Sequence, residues 1–210
     1  MTAHEPISAH ESHDRARTRN CAGITRIRQI EDSDMEQLFD YNIFLIGFMG
    51  AGKSTVAKYL HQAYGMKVIE MDRMIAEQEG MSIPEIFKTH GEEYFRKLET
   101  SLLVGMKNQS NTVVSCGGGV PMREENVSAM KKNGRVVLLD AKPETILERV
   151  KDSHDRPLLE NHKDVEYIAE LMEKRRPKYE AAADIRIATD RRSASEICED
   201  MIRQLKKEVR

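Results

Sequence analysis

The chain has 210 residues, 40% of them hydrophobic and 32% charged, which is enough apolar material for one sizeable core. Acids and bases nearly cancel to a formal net charge of −2, so no global field favours nucleic acid or an anionic membrane, and no apolar run is long enough to span a bilayer. The cysteines Cys21, Cys116 and Cys198 are odd in number and lack ligand spacing, which argues against a disulfide framework or a zinc site.

The chain lacks a basic-then-apolar leader, so the expectation is a cytoplasmic protein with reduced thiols. Residues 1 to about 20 are polar and too poor in large apolar side chains to offset ordering entropy. Arg15, Arg17 and Arg19 in that stretch are interleaved with Glu5, Glu11 and Asp14, which weakens a nucleic-acid or targeting reading, and His4, His10 and His13 read as solvated. Ile24 to Phe39 carries apolar residues at loosely helical spacing. Residues 1–40 are therefore expected to be an N-terminal extension, partly disordered, and 41–210 the folded domain.

Ile43-Phe44-Leu45-Ile46 reads as a strand that delivers Gly47-Phe48-Met49-Gly50-Ala51-Gly52-Lys53-Ser54-Thr55 into a helix. This G-x-x-x-x-G-K-S spacing is a phosphate cradle: glycines let backbone N–H groups face a polyphosphate, and the helix adds its positive end. Gly50, Ala51, Gly52, Ser54 and Thr55 would hold the nucleotide, Lys53 would reach the β- and γ-phosphates, and the Ser54 hydroxyl would ligate Mg²⁺. Gly65 stops the helix, and Met66 to Glu70 forms a second strand. If the chain stays extended, Glu70 and Asp72 share a face at its carboxyl end, where ligands collect in parallel α/β sheets.

A helix from Arg73 to Glu79 closes at Gly80, and Ser82 caps the next one with Pro84 and Glu85 in its first turn. The helix beginning near Gly91 turns Phe95, Leu98, Leu102 and Leu103 inward, and Arg96 and Glu99 share a face as an ordinary surface ion pair. Asn111 to Ser115 is a third strand ending in Cys116-Gly117-Gly118-Gly119, a triplet that implies close backbone approach or positive φ. A helix from Arg123 to Asn133 and a strand from Arg135 to Asp140 establish strand and helix in alternation, hence a mostly parallel sheet. Pro143 opens another helix. The polar stretch Lys151 to Leu159 reads as a mobile lid, and the helix from about Val165 to Tyr179 ends in Arg175, Arg176 and Tyr179, where its dipole favours cations. Ile185 to Ala188 is a fifth strand, and Ser193 caps the final amphipathic helix.

Several of these segments, in this order, resemble the shikimate kinases, a nucleoside-monophosphate-kinase-like family. They are GFMGAGKST at Gly47–Thr55, the acid pair around Asp72, GEEYFRKLE at Gly91–Glu99, SCGGG at Ser115–Gly119, DRPLL at Asp155–Leu159 and RRPKY at Arg175–Tyr179. The resemblance spans about Asn42 to Arg210 and implies a three-layer α/β/α P-loop kinase fold with a five-stranded parallel sheet and a lid. It further implies ATP and Mg²⁺ as cofactors and phosphorylation of the 3-hydroxyl of shikimate. Asp72 would bind the acceptor hydroxyls and take the proton, Arg96 and Arg175 would clamp the acceptor carboxylate, and Glu99 would orient Arg96. Gly118 and Gly119 would let backbone approach the ring. Arg156 would reach over the transferring group from the lid, and Arg149 would stack on adenine with Arg192 nearby. The family's Asp-x-Asp stands here as Glu70-Met71-Asp72, so Glu70 would take the place of the aspartate that holds a Mg²⁺-bound water, with altered metal affinity expected. The implied partner is a small-molecule substrate, with no nucleic acid or membrane, acting on a monomer. The alternatives are a related small-molecule kinase such as a gluconate kinase, or a nucleotide-binding module without catalysis. Intact Lys53, Ser54, Asp72, Arg96, Arg156 and Arg175 speak against the latter.

Overall fold

The computed structural model describes residues 38–151 and 164–208. Residues 1–37, with most of the expected extension, and 152–163, with Arg156 and the expected lid, lie outside the described residues. Five strands, β1 (Asn42–Ile46), β2 (Lys67–Glu70), β3 (Thr112–Ser115), β4 (Gly134–Asp140) and β5 (Ile185–Ala188), form one sheet in the order β2-β3-β1-β4-β5. Every pairing is parallel, and the expected α/β architecture is borne out. The helices are α1 (Lys53–Tyr64), α2 (Met71–Glu79), α3 (Ile83–His90), α4 (Glu92–Gly105), α5 (Glu124–Asn133), α6 (Pro143–Val150), α7 (Val165–Ala182) and α8 (Ala194–Glu208).

Strand periodicity divides the core in two. Ile43 and Leu45 of β1 pack with Val56, Leu60, Ile197 and Met201 of α1 and α8, whereas Phe44 and Ile46 pack with Leu103, Met130 and Tyr179 of α4, α5 and α7. Successive side chains of a strand leave on opposite faces, so a strand covered on both faces is apolar along its covered run, as β1 is from Ile43 to Ile46. A smaller third cluster joins α2, α3 and α4 through Ile75, Ile86 and Phe95. Phe39, placed in the extension by its sequence, is buried in the first cluster with its ring 5.0 Å from that of Tyr41.

Local signals act as expected at most ends. Gly65 and Gly80 close α1 and α2 in the left-handed conformation, and Ser82 with Glu85 forms a complete capping box on α3. Two expectations fail. The chain does not stay extended through Asp72, because α2 begins at Met71 with Glu70 as its N-cap, so strand alternation cannot be what aligns Glu70 with Asp72. Helix α7 continues to Ala182 and carries no basic residue in its last turn, so the dipole argument for Arg175 and Arg176 does not apply. Among the described residues no helix is long and apolar enough to cross a membrane.

Candidate active site

All five strands point their carboxyl ends the same way, and the strand order reverses around β1, which is where open parallel sheets collect ligands. The register puts Leu45 and Glu70 both opposite Ser115 of β3, so the loops leaving β1, β2 and β3 start at one level. The loop after β1 takes positive φ at Gly47, Gly50 and Gly52. A Cβ on Gly47 would also run into the Leu139 carbonyl oxygen. Lys53 Nζ donates to the carbonyls of Gly47 at 2.9 Å and Phe48 at 3.1 Å, folding back over the cradle it would serve. Ser54 and Thr55, in the first turn of α1, are exposed.

Ser54 Oγ donates to Glu70 Oε2 at 3.0 Å. Among the described residues no three His, Cys, Asp or Glu side chains are grouped to hold a metal. A hydroxyl and one carboxylate beside a phosphate loop nevertheless suit Mg²⁺, a hard cation that keeps several waters and is bound by few protein oxygens plus phosphates.

The triple glycine makes room for the charged side chains of the site. None of Gly117, Gly118 and Gly119 has positive φ, so the conformational explanation is corrected and close approach is the reason. A Cβ on Gly117 would lie 2.7 Å from Glu99 Oε1 and 2.8 Å from Asp72 Oδ1, and one on Gly119 would collide with the Arg96 guanidinium. Gly118 is different: a Cβ there would meet Arg175 Nη1 and Tyr179 Oη at an ordinary 3.6 Å. Tyr179 donates its hydroxyl to the Gly118 carbonyl at 2.8 Å, and buried Asn126 donates to the Val120 carbonyl at 3.0 Å, so the turn is held from two sides.

The Arg96–Glu99 pair is not a surface pair. The Glu99 side chain is fully buried, Arg96 Nη1 donates to its Oε2 at 2.8 Å, and its Oε1 has no hydrogen-bond partner. Burial raises the Glu99 pKa, the Arg96 cation works against that rise, and the nearby Asp72 charge adds to it. Burial works to lower the Arg96 pKa, but the Glu99 and Glu92 carboxylates outweigh it and hold the group above its ordinary value. Removing one partner of such a pair would strand a buried charge.

Arg96 from α4 and Arg175 from α7 line one cavity of about 460 Å³ together with Gly119, Met122 and Arg123. Arg175 also lies over the Phe48 ring of the phosphate loop, 5.8 Å from its centroid, so one residue of the cavity wall touches the phosphate loop. Two planar guanidiniums converging on a cavity of this size suit a compact carboxylate.

Arg149 Nη1 donates to the carbonyls of Gly50 at 3.1 Å and Ala51 at 3.3 Å and to Thr189 Oγ1 at 3.1 Å, while Nη2 donates to the Thr189 carbonyl at 2.9 Å. It thus ties the phosphate loop to the turn after β5. Arg192 belongs to the same turn but is held away from the loop by the Ala188 and Glu196 carbonyls and Asp200. Sequence reasoning missed Glu92, Arg123, Met122 and Asn126. The first reads as a routine acid in a helix first turn, and nothing in the periodicity marks the other three.

The shikimate kinase family profile matches residues 49–206. The chain is 45% identical over 166 residues to the shikimate kinase of Sulfurihydrogenibium sp. (strain YO3AOP1), covering 79% of this chain and 98% of that one. It is 43% identical over 160 residues to that of Dehalococcoides mccartyi, covering 76% and 90%. Among solved structures, shikimate kinase from Acinetobacter baumannii in complex with shikimate superposes with a TM-score of 0.75 at 31% identity, covering 80% of this chain and 94% of that one. The Aquifex aeolicus shikimate kinase does so with 0.69 at 37% identity, covering 80% and 98%. With a profile spanning most of the domain and relatives this similar over nearly their whole length, the chain belongs to the shikimate kinase family.

Proposed function

We propose that residues 41–210 form the catalytic domain, that residues 1–40 precede it as an extension, and that the domain transfers the γ-phosphoryl group of ATP to the 3-hydroxyl of shikimate. The observation that carries this reading is the convergence of Arg96 and Arg175, with Gly119 of the glycine turn, on one cavity, together with the contact of Arg175 with Phe48 of the phosphate loop. In the reaction the acceptor oxygen forms a bond to Pγ, the bond from Pγ to the bridging oxygen breaks, and ADP leaves with that electron pair. Asp72, beside Gly117 at the start of α2, orients the hydroxyl and accepts its proton, which then passes to solvent. Arg96 and Arg175 hold the carboxylate at the far end of the ring, and Gly118 and Gly119 admit the ring to the backbone. Gly50 to Thr55 hold the triphosphate, with Lys53 released from the loop carbonyls onto its β- and γ-oxygens. Arg149 presents a guanidinium face to adenine, Arg192 braces the turn behind it, and Arg156, outside the described residues, is assigned to the charge of the transferring phosphoryl group. Ser54 and a water held by Glu70 would hold Mg²⁺, which would supply positive charge to offset the negative charge developing on the phosphates. The enzyme works as a cytoplasmic monomer; buried Cys116 and Cys198, left as free thiols, support the reducing compartment.

A coupled ADP-release assay with shikimate, gluconate or no acceptor tests the reading. Turnover with shikimate alone is expected; turnover with gluconate alone, or none with any acceptor, overturns it.

A further inference from the structure

Arg96 meets two carboxylates that differ in kind. Glu99 takes one edge of the guanidinium from a fully buried position. Glu92, 64% exposed and one helical turn earlier, takes the outer edge: its Oε1 accepts from Nε at 3.1 Å and from Nη2 at 2.8 Å. Both acidic residues at the start of α4 behave alike, since Glu93 pairs with Arg123 across the same cavity. The Nε and Nη2 edge of an arginine is one of the two that accept a carboxylate bidentately, and here Glu92 covers it. Glu99 cannot leave, because its carboxylate is fully buried and has no path to water. Glu92 can, because its carboxylate returns to water at little cost.

From this asymmetry we propose that Glu92 is an internal competitor of the acceptor carboxylate: it caps Arg96 in the empty cavity and is displaced when acceptor binds. The proposal rests on the reading of Arg96 as a carboxylate clamp. Three consequences follow from the geometry. The cavity never presents bare converging cations, so mutual repulsion among Arg96, Arg123 and Arg175 is reduced. The acceptor's affinity is set by the difference between two carboxylates on one guanidinium. Ring polyols without a carboxylate cannot displace Glu92 and so gain nothing from Arg96, which makes Glu92 a specificity determinant.

The test is direct titration in the absence of nucleotide, using shikimate and its uncharged methyl ester as probes of wild type, Glu92→Gln and Arg96→Ala. Glu92→Gln is expected to tighten shikimate binding by about two- to fivefold, the worth of an exposed ion pair, and to leave the weak binding of the ester unchanged. A purely structural role in the first turn of α4 would lower the melting temperature without tightening the acid. Unchanged or weaker shikimate binding by folded Glu92→Gln overturns the proposal, as does equal tightening of acid and ester. Arg96→Ala separates the two levels: if it binds shikimate like wild type, the clamp reading itself fails, whereas loss of binding there with no gain in Glu92→Gln sinks only the competitor.

Discussion

Adding one methyl group at Gly119 should damage acceptor binding and spare the fold. The new Cβ would collide with Arg96 Nη1 and sit 2.5 Å from Cζ and 2.7 Å from Nη2, whereas ordinary contact begins near 3.4 Å, so the guanidinium must retreat by about 1 Å. Backbone φ at Gly119 is −91°, which alanine adopts without strain, and the obstructing atoms are the tip of a side chain. Stability therefore should fall little. Arg96 cannot retreat freely, because Glu99 holds one edge from a buried position. A displacement of this size breaks about one hydrogen bond to a charged group, about 1.5–3 kcal/mol, or roughly ten- to hundredfold in affinity. Steady-state kinetics of Gly119→Ala should show the acceptor KM raised by that factor, with ATP KM near wild type. Gly117→Ala provides the contrast, since its Cβ meets oxygens of Asp72 and Glu99 and should depress kcat instead. If Gly119→Ala keeps a wild-type acceptor KM, or if its damage falls on melting temperature alone, the steric account of the glycine turn is wrong.

Three further outcomes are expected. Asp72→Asn should retain nucleotide binding and lose about a hundredfold or more in kcat, because a positioned base contributes roughly 10² to 10⁴; single-turnover rates near wild type would move the proton to another group. Glu70→Asp shortens the side chain that receives the Ser54 hydroxyl and should shift the Mg²⁺ concentration for half-maximal rate, while superimposable titrations would remove any role for the extra methylene. For Glu99, burial raises the folded-state pKa, so the folded chain holds the proton more tightly than the unfolded one. Its stabilising contribution is complete below the ordinary carboxyl value of 4.5 and is lost as pH rises through the elevated folded value. Thermal melts of Glu99→Gln across that range should therefore lose less stability with rising pH than wild type, and parallel slopes would contradict the shift.

The sheet was legible because the strands carry their own signal: β1 and β4 hold unbroken apolar runs, residues 43–46 and 136–139, β3 a pair of β-branched valines, and glycine or proline marks many helix ends. The phosphate loop and the order of the motifs were legible for the same reason, since those glycines are required by backbone geometry within a few residues. What escaped depended on contacts between distant segments. That Glu99 is buried follows from Gly117 and Asp72 closing over it, and i,i+3 spacing on α4 cannot distinguish that from a surface pair. The start of α2 at Met71 hides behind a run that reads as strand through Glu70. Glu92 and Arg123 became visible only when α4 and the turn before α5 were seen to wall one cavity.

The Arg149 bridge has a thermodynamic corollary. Its donors grip two carbonyls of the phosphate loop from a helix about a hundred residues downstream and anchor them to buried Thr189. The cradle is thus shaped by the protein's own scaffold before any nucleotide arrives. An incoming triphosphate meets a loop already tied at two of its carbonyls, so less of its binding energy goes into organising that loop.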